Sequence, residues 1–271
     1  MTTKTQKPST KDTSTARAQK LFAVASGKGG VGKTWFSITL SHALAKAGKK
    51  VLLFDGDLGL ANIDVQLGIM TKHDINDVIE GNLTLERIIQ HHAEGGFDVI
   101  AGRSGHGALA MLPGPRLNEI LEQLRGLQKN YDAVIVDLGA GIDRTVRFMM
   151  AAADAAFVVM TDEPTSLTDA YALIKLCHGA GHGANLHVVV NMSGSVKEGE
   201  GSYGTLTRVT KEYLKFTPPL LGIIRQDKRV RDAIRAQGLF LTRNPNTETS
   251  ADVEKIAASI QSGLLTGLLA K

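Results

Sequence analysis

Leu21-Phe22-Ala23-Val24-Ala25-Ser26-Gly27-Lys28-Gly29-Gly30-Val31-Gly32-Lys33-Thr34 decides the architecture of this chain. Its first five residues are an unbroken apolar run, the pattern of a strand buried on both faces. A glycine-rich turn follows. Beyond it, over 34–47, Phe36, Leu40, Ala43, Leu44 and Ala47 fall on one helical face. Strand, glycine-rich loop and helix are the setting in which G-x-x-x-x-G-K-[ST], here Gly27, Gly32, Lys33 and Thr34, binds phosphate. Glycines let successive backbone N–H groups turn inward around an anion. The helix N-terminus adds its partial positive charge. Lys33 is placed to reach the β- and γ-phosphates of a nucleotide, and the Thr34 hydroxyl to hold Mg²⁺.

Outward from this stretch, short apolar runs recur at 51–55, 97–101, 133–138, 156–161, 187–191 and 220–224. Most lack polar alternation, which predicts a parallel sheet covered on both sides. Helical periodicity occupies 115–128, 142–153, 166–178, 203–215, 228–236 and 251–269. The alternation predicts an α/β fold with a doubly wound, mostly parallel sheet flanked by helices. Residues 21–271 are expected to form a single domain. Residues 1–20 are rich in Thr, Ser and Lys and hold too little apolar surface to offset ordering entropy, so they read as a disordered basic tail.

The chain of 271 residues is 43% hydrophobic and 21% charged, with a formal net charge of +4. That charge is carried by Lys4, Lys7, Lys11, Arg17 and Lys20 against Asp12; the remaining 26 basic and 26 acidic residues cancel. The folded part is therefore no polycation, and specific nucleic-acid binding is not expected. No run reaches the ~18 apolar residues that span a bilayer, and no secretory signal opens the chain. A cytoplasmic protein is expected. The lone Cys177 and the scattered histidines give neither a disulfide nor a zinc spacing.

Two strand ends carry acids. Four apolar residues precede Asp137, followed by Leu138-Gly139-Ala140-Gly141; a carboxylate so placed is the Walker B pattern that holds Mg²⁺. Gly139 and Gly141 would let the following segment move with the γ-phosphate. Strand 51–55 ends in Asp55-Gly56-Asp57, at the carboxyl end of a parallel strand, where such sheets bind ligands.

Lys28, inside the loop, has no structural need there and would be costly to bury unpaired. The string KGGVGKT resembles the deviant phosphate loop of the MinD/ParA superfamily. The resemblance implies an ATPase in which Lys28 reaches the phosphates of a facing protomer, so that ATP is sandwiched in a homodimer. It implies ATP contacts from Gly27, Lys28, Gly29, Gly30, Val31, Gly32, Lys33 and Thr34, and catalytic roles for Lys28, Lys33 and Asp57, the last orienting the attacking water. Thr34 and Asp137 would hold the metal, with Asp55 supporting its shell. Asn191, ending strand 187–191, would read the adenine edge. The loop Ile224-Arg225-Gln226-Asp227 would supply a second base contact from Arg225 and Asp227, although relatives often carry proline where Arg225 stands.

Within the superfamily, Asp55-Gly56-Asp57-Leu58-Gly59-Leu60-Ala61-Asn62-Ile63-Asp64 is similar to the MinD side. Glu163-Pro164-Thr165-Ser166-Leu167-Thr168-Asp169-Ala170-Tyr171-Ala172-Leu173-Ile174-Lys175 closely resembles FlhG (FleN, YlxH), ATPases that limit flagellar number and placement. Residues 137–142 and 227–237 agree, and the likeness covers about residues 20–260. It implies an ATP-dependent dimerising switch whose partners are an FlhF-like GTPase, flagellar switch or C-ring proteins, or a flagellar transcription regulator. Asp169 is expected to pair with Lys28 in the monomer. The tail has Ala16-Arg17-Ala18-Gln19 where many FlhG proteins carry an Asp-Gln-Ala motif for stimulating that GTPase. Segment 251–271 reads either as a last core helix or as an anchor for the inner face of the cell membrane, with Val253, Ile256, Ala257, Ile260, Leu264 and Leu268 in one stripe. A MinD-type division-site regulator and a ParA-type DNA-partitioning ATPase, the latter with Arg225, Lys228, Arg229, Arg231 and Arg235 as its DNA patch, are the alternatives. Metabolic relatives would need a second substrate constellation, and iron–sulfur relatives a cysteine pair; neither is present in the sequence.

Overall fold

A computed structural model describes residues 20–57, 61–102 and 112–262. The disordered-tail expectation for 1–19, Leu58-Gly59-Leu60, and the distal half of the C-terminal stripe fall outside them. Eight strands form one sheet: β1 (Leu21–Ser26), β2 (Val51–Gly56), β3 (Gln90–His92), β4 (Phe97–Ile100), β5 (Ala133–Ala140), β6 (Ala155–Met160), β7 (Leu186–Ser193) and β8 (Leu220–Arg225). Their order is β3-β4-β2-β5-β1-β6-β7-β8. Every pairing is parallel except β3 with β4.

Alternate residues of each strand feed two cores. Leu21, Ala23 and Ala25 of β1 face the core built with α4 (Gly114–Leu127), α5 (Arg144–Ala152) and α6 (Pro164–Gly179). Phe22 and Val24 face the core built with α1 (Lys33–Lys46), α9 (Phe240–Arg243) and α10 (Glu248–Gln261). Both faces are covered, which is why the strands read as continuous apolar runs. From β1 the chain crosses to β2 on one side, and it returns to β6 on the other. The crevice at the carboxyl end of β1 is thus a topological switch point, the position at which open α/β sheets bind ligands.

Several elements lie outside the sequence reading. The short helices α2 (Ile63–Leu67) and α3 (Ile75–Ile79) and the edge strand β3 were not expected. α8 (Arg229–Arg235) matches 228–236, but α7 (Val196–Leu214) starts seven residues before the expected 203. Glycines at 199, 201 and 204 argue against helix by propensity. Packing overrides this: a Cβ at Gly199 would collide with Ile223, so the glycine lets α7 lie close on β8. Lys20 belongs to the fold and not to a tail; its N–H bonds Asp154 (2.9 Å) and its Nζ bonds the Tyr131 carbonyl (2.9 Å). Val253, Ile256 and Ala257 of α10 are buried against α1 and β8, so the described half of the last helix is core.

Candidate nucleotide site

The loop between β1 and α1 turns through two left-handed glycines, Gly30 (φ 80°) and Gly32 (φ 82°). Only glycine adopts this conformation without strain. At Gly32 a side chain would also collide with Asn191 Nδ2. The loop opens on a cavity of about 520 Å³ whose walls include Gly29, Gly30, Lys33, Thr34 and Asp57.

One carboxylate organises the cavity floor. Asp137, 1% exposed, accepts from Lys33 Nζ (3.0 Å), Thr34 Oγ1 (2.7 Å) and Ser37 Oγ (2.9 Å). One ammonium and two hydroxyls thus pair the carboxylate, as a buried carboxylate requires. Directly beside it in register lies Asp55 of β2. Burial and then the nearby Asp137 charge push the Asp55 carboxyl up to about 7, against the pull of backbone N–H bonds. Those bonds come from Asp57 (3.2 Å), Asn62 (3.1 Å) and Ile63 (3.1 Å). Asp55 is therefore the anchor of the segment bearing Asp57, with both oxygens engaged by that segment. Asp57 reaches the cavity wall, where a Cβ at Gly139 would lie 3.3 Å from its Oδ1.

Thr34 Oγ1 and Asp137 are hard oxygen donors side by side at a phosphate-sized cavity. That fits Mg²⁺, which takes one or two protein ligands and completes its shell with water and phosphate oxygens. Among the described residues no group of three or more acidic, histidine or cysteine ligands gathers, so no protein-only metal cage is built.

Lys28 departs from the expectation made for it. Its Nζ is held by Glu163 Oε2 and by Thr165 Oγ1 (2.8 Å), and Asp169 does not take part. The reason is helical geometry. Glu163 caps α6 and Thr165 lies in its first turn, beside the loop, whereas Asp169 is more than a turn further on. There its backbone, against which a Cβ on Gly27 would collide, abuts the loop. Glu163 and Thr165 stand in the family string without an expected role; the acid at the N-cap position of α6 is what the loop lysine meets.

The base end is arranged differently from the reading. Asn191, 2% exposed, donates through Nδ2 to the Val31 carbonyl (2.8 Å) and so staples β7 to the loop. Arg225 is drawn into α10, with Nε and Nη2 on Asp252 (2.9 and 2.8 Å) and Nη1 on Glu248 (2.5 Å). Asp227 is gripped by Arg229 (2.7 Å), whose guanidinium holds it below the usual carboxylate range. A second cavity of about 110 Å³, lined by Asn191, Met192, Arg225, Asp227 and Thr249 among others, nonetheless joins these residues. The fork to Asp252 and Glu248 makes Arg225 a strut between β8 and α10, while the residue still lines the cavity. Trp35 and Met192 line both cavities and were not foreseen.

Residues 19–187 match the AAA_31 family, described as an AAA domain. The antiactivator FleN of Pseudomonas aeruginosa is 36% identical over 243 residues, covering 90% of this chain and 86% of the relative. The flagellum site-determining protein YlxH of Helicobacter pylori is 34% identical, covering 92% and 84%. The septum site-determining protein MinD of Pyrococcus horikoshii, solved complexed with Mg-ADP, superposes with a TM-score of 0.76 at 25% identity, covering 93% of this chain and 99% of that one. With this cleft, this sheet order and these relatives, the chain is an ATPase of the MinD/ParA superfamily and belongs to its FlhG (FleN, YlxH) family.

Proposed function

We propose that the protein is an ATP-dependent dimerising switch, hydrolysing ATP to regulate flagellar number, placement or assembly. The observation that carries this is the contrast between the two loop lysines. Lys33 is 7% exposed and bound into its own cavity; Lys28 is 34% exposed and rests on the rim against a 61%-exposed Glu163. A rim cation on so open a partner is readily released, and it then faces outward, where a second copy would present its triphosphate. The proposed reaction is in-line attack of a water held by Asp57 on the γ-phosphate. Lys33 and the partner copy's lysine neutralise the charge that develops on the phosphoryl oxygens. Thr34 and Asp137 would hold Mg²⁺, which would supply charge neutralisation at the phosphates. Gly27 to Thr34 bind the phosphates, while Asn191 and Asp227 border the base.

The flagellar role is supported by the two flagellar relatives. Partners on this reading are an FlhF-like GTPase, a switch or C-ring protein, or a flagellar transcription regulator. Among the described residues no helix is long and apolar enough to cross a membrane; on this reading, reversible association with the inner membrane face would use the C-terminal segment 251–271. The division-site alternative draws on the MinD likeness. The partitioning alternative is weakened because Asp227 occupies Arg229 of the α8 patch.

Light scattering on Asp57→Ala protein with Mg-ATP is expected to show a dimer that Lys28→Ala abolishes. A strict monomer would sink the switch. Wild-type flagellar counts in Lys33→Ala and Asp57→Ala strains would sink the flagellar role while leaving the ATPase intact.

A further inference from the structure

We propose that Trp35 forms the sugar-facing wall of the cleft and that its indole N–H is a donor to a nucleotide oxygen. This rests on the reading that ATP occupies the cleft. The phosphate cavity and the base cavity share Gly32, Trp35, Met192 and Ile234. A nucleotide lying in both has its sugar and α-phosphate at that junction, and both present oxygen acceptors. Of the four shared residues, glycine has no side chain, isoleucine is aliphatic and methionine offers only a weak acceptor. The indole N–H is the one side-chain donor there.

That donor is without a partner. Trp35 is 6% exposed, and among the described residues its Nε1 meets no acceptor. Indole nitrogen donates only, so no alternative bond relieves it, and a buried unmade bond is destabilising. An apolar residue of similar shape would fill the same space without that penalty. The ring packs edge-on to Phe240 of α9, with centroids 5.5 Å apart. Opposite it, Met192 is held at φ 56°, a left-handed conformation that side-chain-bearing residues adopt at a cost. A strained methionine and an orphan donor at one junction are features that packing does not require. The nitrogen itself is buried in the structure, so the proposed contact includes a turn of the ring about its Cβ–Cγ bond that carries the N–H to the junction when an acceptor arrives.

Trp35 is the single tryptophan of the chain, so growing a tryptophan auxotroph on β-(3-benzothienyl)alanine replaces this one N–H by sulfur and nothing else. Calorimetric titration of the full-length protein with ADP is expected to show binding weakened about 5- to 10-fold by the replacement. Its unfolding temperature should be equal to or above that of the parent. Trp35→Phe should weaken ADP binding at least as much. If the acceptor is a sugar hydroxyl, the difference between the two proteins vanishes with 2′-deoxy-ADP or with 3′-deoxy-ADP. If it is an α-phosphate oxygen, the difference persists with both. ADP affinity within twofold of the parent in the isostere would overturn the assignment. Absence of ADP heat from the unmodified protein would instead overturn the nucleotide reading, and the assignment with it.

Discussion

The two ends of the cleft solve the same problem in opposite ways. At the phosphate end, a buried carboxylate, an ammonium and two hydroxyls satisfy one another within a span of three residues on α1 and one on β5. At the base end, charges pair away from the cavity: Arg225 with α10, Asp227 with its neighbour Arg229. At the first end the charged groups are held around the cavity by one another; at the second, Arg225 and Asp227 are each taken up by a partner on the protein although both line the cavity. Electrostatic demand is thus concentrated where phosphoryl transfer develops charge.

Lys33→Ala is the strongest way to break that contrast. It removes the ammonium from a buried pair and leaves Asp137 beside Asp55. Hydrolysis should fall by ~10³-fold or more, as for loss of a principal phosphate cation, and unfolding free energy by ~3–5 kcal/mol. Phosphate release and denaturant unfolding would read both. Lys28→Ala should separate the two quantities. Hydrolysis should drop by roughly 10²-fold or more through lost transition-state charge. Stability should move by less than ~0.5 kcal/mol, because its pair with Glu163 is exposed. A large stability loss for Lys28→Ala would show the latch to be structural.

Legibility in the sequence followed the same division. The phosphate end is local: one loop and one strand-end aspartate carry it, and their spacing is fixed by a strand and a helix that the pattern announces. The doubly wound sheet was readable because strands buried on both faces leave unbroken apolar runs. The other end is assembled from β7, β8, α8 and α10 against the start of α1, and no local pattern encodes their mutual placement. Hence the pairing of the Arg225 fork with Asp252, 27 residues away, is invisible in the sequence. Trp35 passed unnoticed because it lies off the apolar stripe of Phe36 and Leu40, yet α1 is buried all round. β3 was missed because Gln-His-His at a sheet edge shows no apolar pattern.

Asp252→Ala tests whether the strut shapes the base end. Arg225 would lose its forked partner, and α10 would keep its polar ties to β8 through Glu248 and Thr249. A loss of ~1–3 kcal/mol is expected for a partly buried charge-assisted pair. KM for ATP should rise with kcat little changed, since no reacting group is touched. A fall in kcat at unchanged KM would place the strut in the chemistry instead.

The smallest effect concerns the far end of α1. His42, like Lys33, is buried on that helix, but no carboxylate reaches it and its Nδ1 has no partner among the described residues. Burial first, then Lys46 and His92, lower its pKa to about 4, with Glu254 opposing. The folded value lies below the unfolded ~6.5. Between these values the unfolded chain binds the extra proton, so stability is full above pH ~6.5 and is lost as pH falls toward 4. The shift alone would give ~3 kcal/mol, and relaxation around the charged ring reduces the expected loss to ~1–2 kcal/mol. Urea unfolding at pH 7.5 and 4.5 should show that loss in wild type and a smaller one in His42→Leu, whose side chain does not titrate. Equal losses in both proteins would mean that the helix tolerates an unpaired buried charge at its tail, and that the Asp137 carboxylate paired with Lys33 answers to phosphate chemistry and not to the cost of burying charge on α1.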